Sequence, residues 1–456
     1  MDDAAVTALR EGIRGTVTTE SDEGYDEARK VRNGMIDRRP AVIVQPVNAG
    51  DVMTAVRFAA DNDLTVAVRG GGHSVPGFGT CDDGVVIDLS TMRGVRVDPR
   101  SRTARAEGGA TLGDFNAATH AFGLATTGGI ISTTGLSGLT LGGGIGYLSR
   151  GYGLSLDNLI SADVVTADGR FVVASDRENE DLFWALRGGG GNFGAVTALE
   201  FRLHPVDMVY GGPMFFELDA VGDLLRWYRE YIADAPEAFG GFPAFQIAPP
   251  LPFIPEDRHG DTFIAFVACW SGPIEQGEAA LKPVHDVAPV VAEHVGAMPY
   301  PTLNSAFDGL VPPGLQHYWK ANFVTELSDD IIDAHLQHGP NVPAVNSTMH
   351  IYPINGAVHR VGATETAFAH REANFATVIA GMWPDPADNE KNTKWVKDYY
   401  AATAPLSEAA GYVNFMASDD QGRIKENYGV NYGRLVEVKR AWDPDNLFHL
   451  NQNIAP

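Results

Sequence analysis

Cysteine is nearly missing from this chain: Cys81 and Cys269 are the only two in 456 residues. One pair at unrelated positions makes no disulfide framework, and no CxxC pair or HExxH stretch offers a metal site. No run of about 18 apolar residues occurs, so the sequence contains no candidate membrane-spanning helix. Basic residues are scarce: 34 Lys and Arg against 58 Asp and Glu give a formal charge of −24, and no lysine stands between Lys30 and Lys282. A surface of that sign does not replace the counterions of nucleic acid or of an anionic membrane, so neither is expected as a partner. Any phosphate held by the first half must be met by arginine or by backbone N–H groups. The start, MDDAAVTALREG, has no basic and apolar leader, from which a cytoplasmic location is expected.

The chain does have glycine (51 residues) and a globular share of apolar residues, 44%. Its length exceeds the roughly 250–300 residues at which a single core stops growing, so two domains are expected. Apolar residues at Val52, Ala55, Val56, Ala59 and Ala60 share one helical face, and Thr65 to Val68 reads as a strand feeding RGGGHS. Val85 to Leu89 and Thr103 to Glu107 read as further strands. Thr111 with Asp114 predicts a capped helix through Phe122. Asp168-Gly169 predicts the turn of a hairpin over 163–174. A short helix at Asp181 to Arg187 and a strand at Ala195 to Phe201 follow. From about residue 206 proline and aromatics increase, which marks a second α+β unit. It has a helix near 219–233, strands at Thr262 to Trp270 and Ser347 to Tyr352, a helix at about 390–402 and a strand at Tyr412 to Phe415. A last helix over Tyr432 to Ala441 ends at Asp443-Pro444.

Chemistry is concentrated in the glycine runs. Arg69-Gly70-Gly71-Gly72-His73-Ser74 follows a strand directly, and successive glycine N–H groups there can converge on an anion such as a pyrophosphate. Gly128 to Gly153, GGIISTTGLSGLTLGGGIGYLSRGYG, holds far more glycine than one turn needs. It fails the GxGxxG dinucleotide fingerprint, because Leu148, Ser149 and Arg150 stand where the third glycine and its helix belong. RGGGGNFGAV (Arg187 to Val196) and a tail ending in NQNI complete the set.

Together and in this order, RGGGHS, GGGIGYLSRGYGLSLDN, RGGGGNFGAVT and YGVNYGRLVEVKRAWDPDNLFHLNQNI resemble the FAD-linked oxidases of the vanillyl-alcohol oxidase/p-cresol methylhydroxylase superfamily, specifically its berberine bridge enzyme-like group. The resemblance implies a two-domain α+β fold: an FAD-binding domain of the PCMH type over 1–205, a substrate domain over 206–404 whose antiparallel sheet covers the flavin, and a segment over 405–456 that returns to the FAD domain. It implies FAD as cofactor, with Arg69, Gly70, Gly71, Gly72, His73, Ser74, Thr133, Thr134, Gly135, Gly138, Gly142, Gly143, Gly146, Val196, Asn451 and Asn453 around it. His73 falls on the histidine that bonds the flavin 8α-methyl. The cysteine that makes a second flavin link in many relatives is Ile131 here, so one covalent link is implied. Thr134 matches a position beside the flavin that governs oxygen access, and its shape is that of the permissive valine. The implied reaction takes hydride from a small organic donor and reduces O2 to H2O2.

The familiar bases of the family are missing. Phe415 stands where many relatives have a tyrosine, and Ala376 or Thr377 stands where others have a glutamate. An alcohol needs such a base for hydride removal, whereas a neutral amine can use its own lone pair. The sequence therefore points to amine oxidation or to a base supplied by Tyr352 or His350, with Asn414 and Tyr412 as positioning groups. Strand alternation puts His350 with Tyr352 on one face, and Tyr412 with Asn414 on one face. Tyr318, Trp319 and Lys320 are candidates for the substrate opening. A carbohydrate oxidase, or a flavin-binding protein without turnover, are the alternatives.

Overall fold

Three sheets organise the chain in the computed structural model, which describes residues 3–456. Strands β1 (Thr16–Thr18), β2 (Val42–Gln45), β3 (Val66–Arg69) and β4 (Val85–Asp88) lie in the order β1-β2-β4-β3. β4 runs parallel to both β2 and β3. Parallel strands need a crossover connection, and the helix Ala49–Asp61 carries the chain from β2 to β3, which lie on either side of β4. The buried face of the helix includes Val52, Ala55, Val56 and Ala59 of the stripe read from the sequence, while Ala60, expected with them, is exposed near the helix end; the Asn48 side chain caps the helix by accepting from the Asp51 N–H at 3.0 Å.

The second sheet is antiparallel: β5 (Val95–Asp98), β6 (Thr103–Glu107), β7 (Leu159–Val165), β8 (Phe171–Ser175) and β9 (Ala195–Arg202), in the order β5-β6-β9-β7-β8. Gly169, at φ 74°, turns the β7–β8 hairpin. The Thr111–Asp114 capping box opens the helix Leu112–His120, which stops two residues short of the expected Phe122.

The third sheet holds β10 (Met208–Phe216), β11 (Phe239–Ile247), β12 (Thr262–Trp270), β13 (Val290–Glu293), β14 (Gly296–Pro299), β15 (Gln316–Val324), β16 (Thr348–Pro353) and β17 (Phe375–Trp383). Its path is β13-β10-β12-β11-β16-β17-β15, with β14 also on β10. Side chains alternate across it. Met349, Ile351 and Ile379 bury against the helices Val221–Asp234, Asp329–His338 and Asn389–Thr403, while Tyr352, Val378, Ala380 and Met382 face the other way.

The tail rejoins the first half of the chain. Leu435, Val438 and Ile454 are buried in one apolar cluster with Leu182, Phe183 and Phe193. The stretch expected as a strand at Tyr412 to Phe415 is instead a tight turn, with a 3₁₀ segment at Val413–Phe415 and the Phe415 N–H donating to the Tyr412 carbonyl at 2.9 Å. The chain crosses the edge of the third sheet at Gly411, where a Cβ would lie 2.4 Å from the Ala321 carbonyl oxygen, and then leaves it. Cys81 and Cys269 are buried and unpaired. Among the described residues no helix is long and apolar enough to cross a membrane.

Candidate active site

A cavity of about 720 Å³ separates the third sheet, as a roof, from loops of the first half and the tail, as a floor. The floor begins where β3 ends. Arg69 turns its guanidinium away, donating to Asp88 at 2.9 Å and to the carbonyls of Ala28 and Lys30 at 2.5 and 3.0 Å, and so fixes the root of the glycine loop. Gly71 and Gly135 touch backbone to backbone: a Cβ on either would lie 2.3 Å from the other's nitrogen. The two loops can meet only as glycines. Gly138 is different, since a Cβ there would meet nothing within 4 Å and would project into open space. Gly70, Gly72, His73, Ser74, Thr134, Val196 and Asn451 also line the cavity, as does Ile131.

Five residues expected around FAD do not line it. Thr133 stands behind His73, its hydroxyl 3.1 Å from Nε2. At Gly142 a Cβ would strike Asn414 Oδ1 at 2.3 Å, at Gly143 the Tyr412 ring at 2.8 Å, and at Gly146 the Gly128 carbonyl at 1.8 Å. This glycine density lets the chain pass directly beneath Tyr412 and Asn414. Arg150, from the same segment, is 3% exposed and donates to the carbonyls of Ile232, Ala235, Pro236 and Phe239, closing the C-terminus of the helix Val221–Asp234. Asn453 lies beyond the wall, and Gln452, which the sequence reading passed over, lines it instead.

The sequence also gave no sign of what holds the tail. Asn192 donates to the carbonyls of Gly189 at 2.7 Å and Gln452 at 3.1 Å and accepts from the Ile454 N–H at 2.9 Å. Lys439, fully buried, donates to Asp443 at 2.6 Å and to the carbonyls of Asn192 and Phe448 at 2.7 and 3.0 Å. An i,i+4 Lys–Asp pair at a helix end reads as a surface feature until the tail is seen to cover it.

His73 sits at the tip of the glycine loop with Nε2 3.1 Å from the Thr133 hydroxyl. Burial, reinforced by the nearby Arg32 and His317, pushes its pKa down to about 3, so the ring is neutral at pH 7. On the roof His350 Nδ1 and the Tyr352 hydroxyl are 2.6 Å apart, as the alternation of a strand requires. Burial takes His350 down to about 3 and raises Tyr352, which Tyr412 raises further. The Tyr412 oxygen accepts from the Gly144 N–H at 2.6 Å and from Asn414 Nδ2 at 2.8 Å; burial still outweighs these and holds its pKa up at about 12. Tyr412 and Asn414 thus meet as expected, through a turn rather than along a strand. Of Tyr318, Trp319 and Lys320 only Trp319 lines the cavity, because alternate residues of β15 point the other way, Tyr318 and Lys320 to Asp419 at 2.7 Å each.

Residues 40–175 match the family described as FAD binding domain, and residues 411–455 the family described as berberine and berberine like. An FAD-linked oxidoreductase of Dictyostelium discoideum is 32% identical over 99% of this chain and 97% of its own. The chain belongs to the berberine bridge enzyme-like FAD-linked oxidoreductases. This oxidoreductase is 29% identical to (R)-6-hydroxynicotine oxidase of Paenarthrobacter nicotinovorans over 97% of both chains. The crystal structure of 6-hydroxy-D-nicotine oxidase from Arthrobacter nicotinovorans superimposes with a TM-score of 0.86 at 27% identity, over 97% of this chain and 98% of that one. A glucooligosaccharide oxidase from Acremonium strictum, whose FAD is 6-S-cysteinyl and 8α-N1-histidyl, shares the fold at 22% identity and a TM-score of 0.87, over 99% of each chain.

The floor of this oxidoreductase fits an FAD. Asn451 Oδ1 and Gln452 Nε2, both from cavity-lining residues, are buried without a partner, which is costly unless a bound group completes them. The open face of Gly138 and the loop at Gly72, φ 69°, give backbone access of the kind a dinucleotide needs.

Proposed function

We propose that this enzyme is an FAD-dependent oxidase that takes hydride from a small organic amine or alcohol, reduces O2 to H2O2, and holds its flavin through a single bond from His73. Bound on this floor, FAD supplies the hydride acceptor and the two-electron relay to O2. The observation that carries the reading is the state of His73: it lines the cavity with Nε2 beside the Thr133 hydroxyl, and it is neutral at pH 7, so one ring nitrogen keeps a lone pair for a bond to carbon. Ile131, a hydrocarbon on the same wall, offers no second attachment. Thr134, also on the wall, is the residue assigned to oxygen access.

The remaining work falls to the roof. Its rings exclude water from the donor and press it toward the floor, while His350 and Tyr352 present a hydrogen-bonding pair to the donor's polar atom. Both are neutral at pH 7, which favours orientation of an already neutral donor over strong proton abstraction. Residues 1–205 with 405–456 would then carry the cofactor, and 206–404 would cover it. The test is acid precipitation of the purified yellow protein. Colour should stay in the pellet for the wild type and pass to the supernatant for His73→Ala. Colour in the supernatant for both refutes the tether, and a colourless wild-type protein refutes the function.

A further inference from the structure

The part of the cavity wall that faces away from the floor carries no usable charge. Arg69 is the only Lys, Arg, Asp or Glu among the described lining residues, and its guanidinium is bonded to Asp88 and two carbonyls. Most polar side chains on the roof are already engaged by protein, Trp319 Nε1 being a buried donor without a partner among the described residues. Gln246 Nε2 donates to the Val345 carbonyl at 2.6 Å, Asn346 Nδ2 to Leu310 at 2.8 Å, and Thr348 Oγ1 to Phe245 at 2.9 Å. Asn414 Nδ2 is held by the Leu139 carbonyl at 2.9 Å and by Tyr412. What is left is a ring-lined chamber. Phe242 lies 4.8 Å from His350 and 4.7 Å from Tyr352, and Phe415 lies 6.0 Å from both Tyr352 and Trp319, between ring centroids. Within it, His350 Nδ1 is taken by Tyr352 and Nε2 has no partner among the described residues.

An ion entering this chamber would lose its hydration and gain no counter-charge. A sugar would bring more hydroxyls than the few open partners, His350 Nε2 and Trp319 Nε1, can satisfy. We propose that the donor is an uncharged molecule with an aromatic or comparably apolar ring body and one principal polar group, bound as its neutral species with that group at His350 Nε2. The inference rests on the proposed function only in taking the roof as the donor's wall. Ring faces attract cations as well as apolar bodies, so an ammonium is the critical competitor.

The experiment uses the purified flavoprotein without oxygen. Perturbation or bleaching of the visible flavin spectrum at pH 7 is titrated with 2-naphthalenemethanol, 2-naphthoate, 2-naphthylmethylammonium and cellobiose. The alcohol should bind at least about ten-fold more tightly than either ion, and cellobiose should leave the spectrum unchanged. In Ala380→Glu, which puts a carboxylate on the roof, the ammonium should overtake the alcohol and the naphthoate should be lost. Equal or tighter binding of either ion or of cellobiose by the wild type overturns the inference, as does failure of all three aromatics to bind. The flavin reading is judged separately, by colour before any probe is added.

Discussion

Replacing Lys439 with methionine tests whether one buried ion pair holds the tail against the cavity floor. The side chains of Lys439 and Asp443 are both 0% exposed, and the ammonium also serves two carbonyls, one on each of two wall segments, while Asp443 accepts the N–H groups of Leu447 and Phe448 at 2.8 and 2.9 Å. Burial lowers the lysine pKa, and Asp443 opposes that shift. Removing one member of such a pair strands the other as a buried charge, at a cost of about 3–5 kcal/mol. The carbonyls belong to the same network, so their loss is contained in that figure and not added to it. Three kcal/mol multiplies the opening constant of the tail by about 150. Hydrogen exchange of peptides spanning residues 444–454 in the holoprotein reads that opening directly, because the Leu447, Phe448 and Ile454 amides are bonded within the latch. Protection there should fall by about two orders of magnitude in Lys439→Met while peptides of β16 and β17 are unchanged, and Lys439→Met/Asp443→Asn should recover part of it by removing the stranded charge. A fall of less than about threefold in the single variant would refute the reasoning.

Two further outcomes can be measured. His335, buried against the Tyr399 hydroxyl at 2.8 Å, and His73 and His350 are held near pKa 3, and His204 and His317 near 4, against about 6.5 when unfolded. The unfolded chain therefore binds more protons below pH 6.5. Stability is complete above that pH and falls as pH drops toward 4, by up to about 2 kcal/mol per histidine at pH 5. A thermal midpoint that is flat or rising from pH 7 to pH 5 would contradict this. Gly138→Val should leave the fold intact, since the new side chain meets no protein atom near its Cβ, but should fill cofactor space; the visible-to-ultraviolet absorbance ratio of the purified protein should drop at least several-fold, and an unchanged ratio would place the cofactor elsewhere.

Local chemistry was legible in the sequence. The helix Ala49–Asp61, the capping box at Thr111, the Asp168-Gly169 hairpin and the stop at Asp443 each depend on a few neighbouring residues, and the structure contains all four. The RGGGHS loop and the His350–Tyr352 face were legible for the same reason. What escaped notice depends on distant partners. β10 and β11 read poorly because each carries glycines and a proline. The ladder of β11 with β16 stops at Ala244, beside Pro243, which has no N–H to donate. Gly142, Gly143 and Gly146 look like cofactor glycines on composition, yet the atoms that crowd them come from Asn414, Tyr412 and Gly128. No local pattern reports contacts of that range.

The alternation of the roof strands also sets how this protein can change. Positions 348, 350, 352, 378, 380 and 382 face the cavity, while Met349, Ile351 and Ile379 between them belong to the layer beneath the helices. A substitution at an even-numbered position reshapes the chamber and leaves that layer alone, whereas a single-residue insertion in either strand would turn the chamber's side chains into the helices. Acceptance of new donors is therefore reached through a small set of isolated point changes, each separable from the stability of the scaffold, and insertions are confined to the connections at the strand ends.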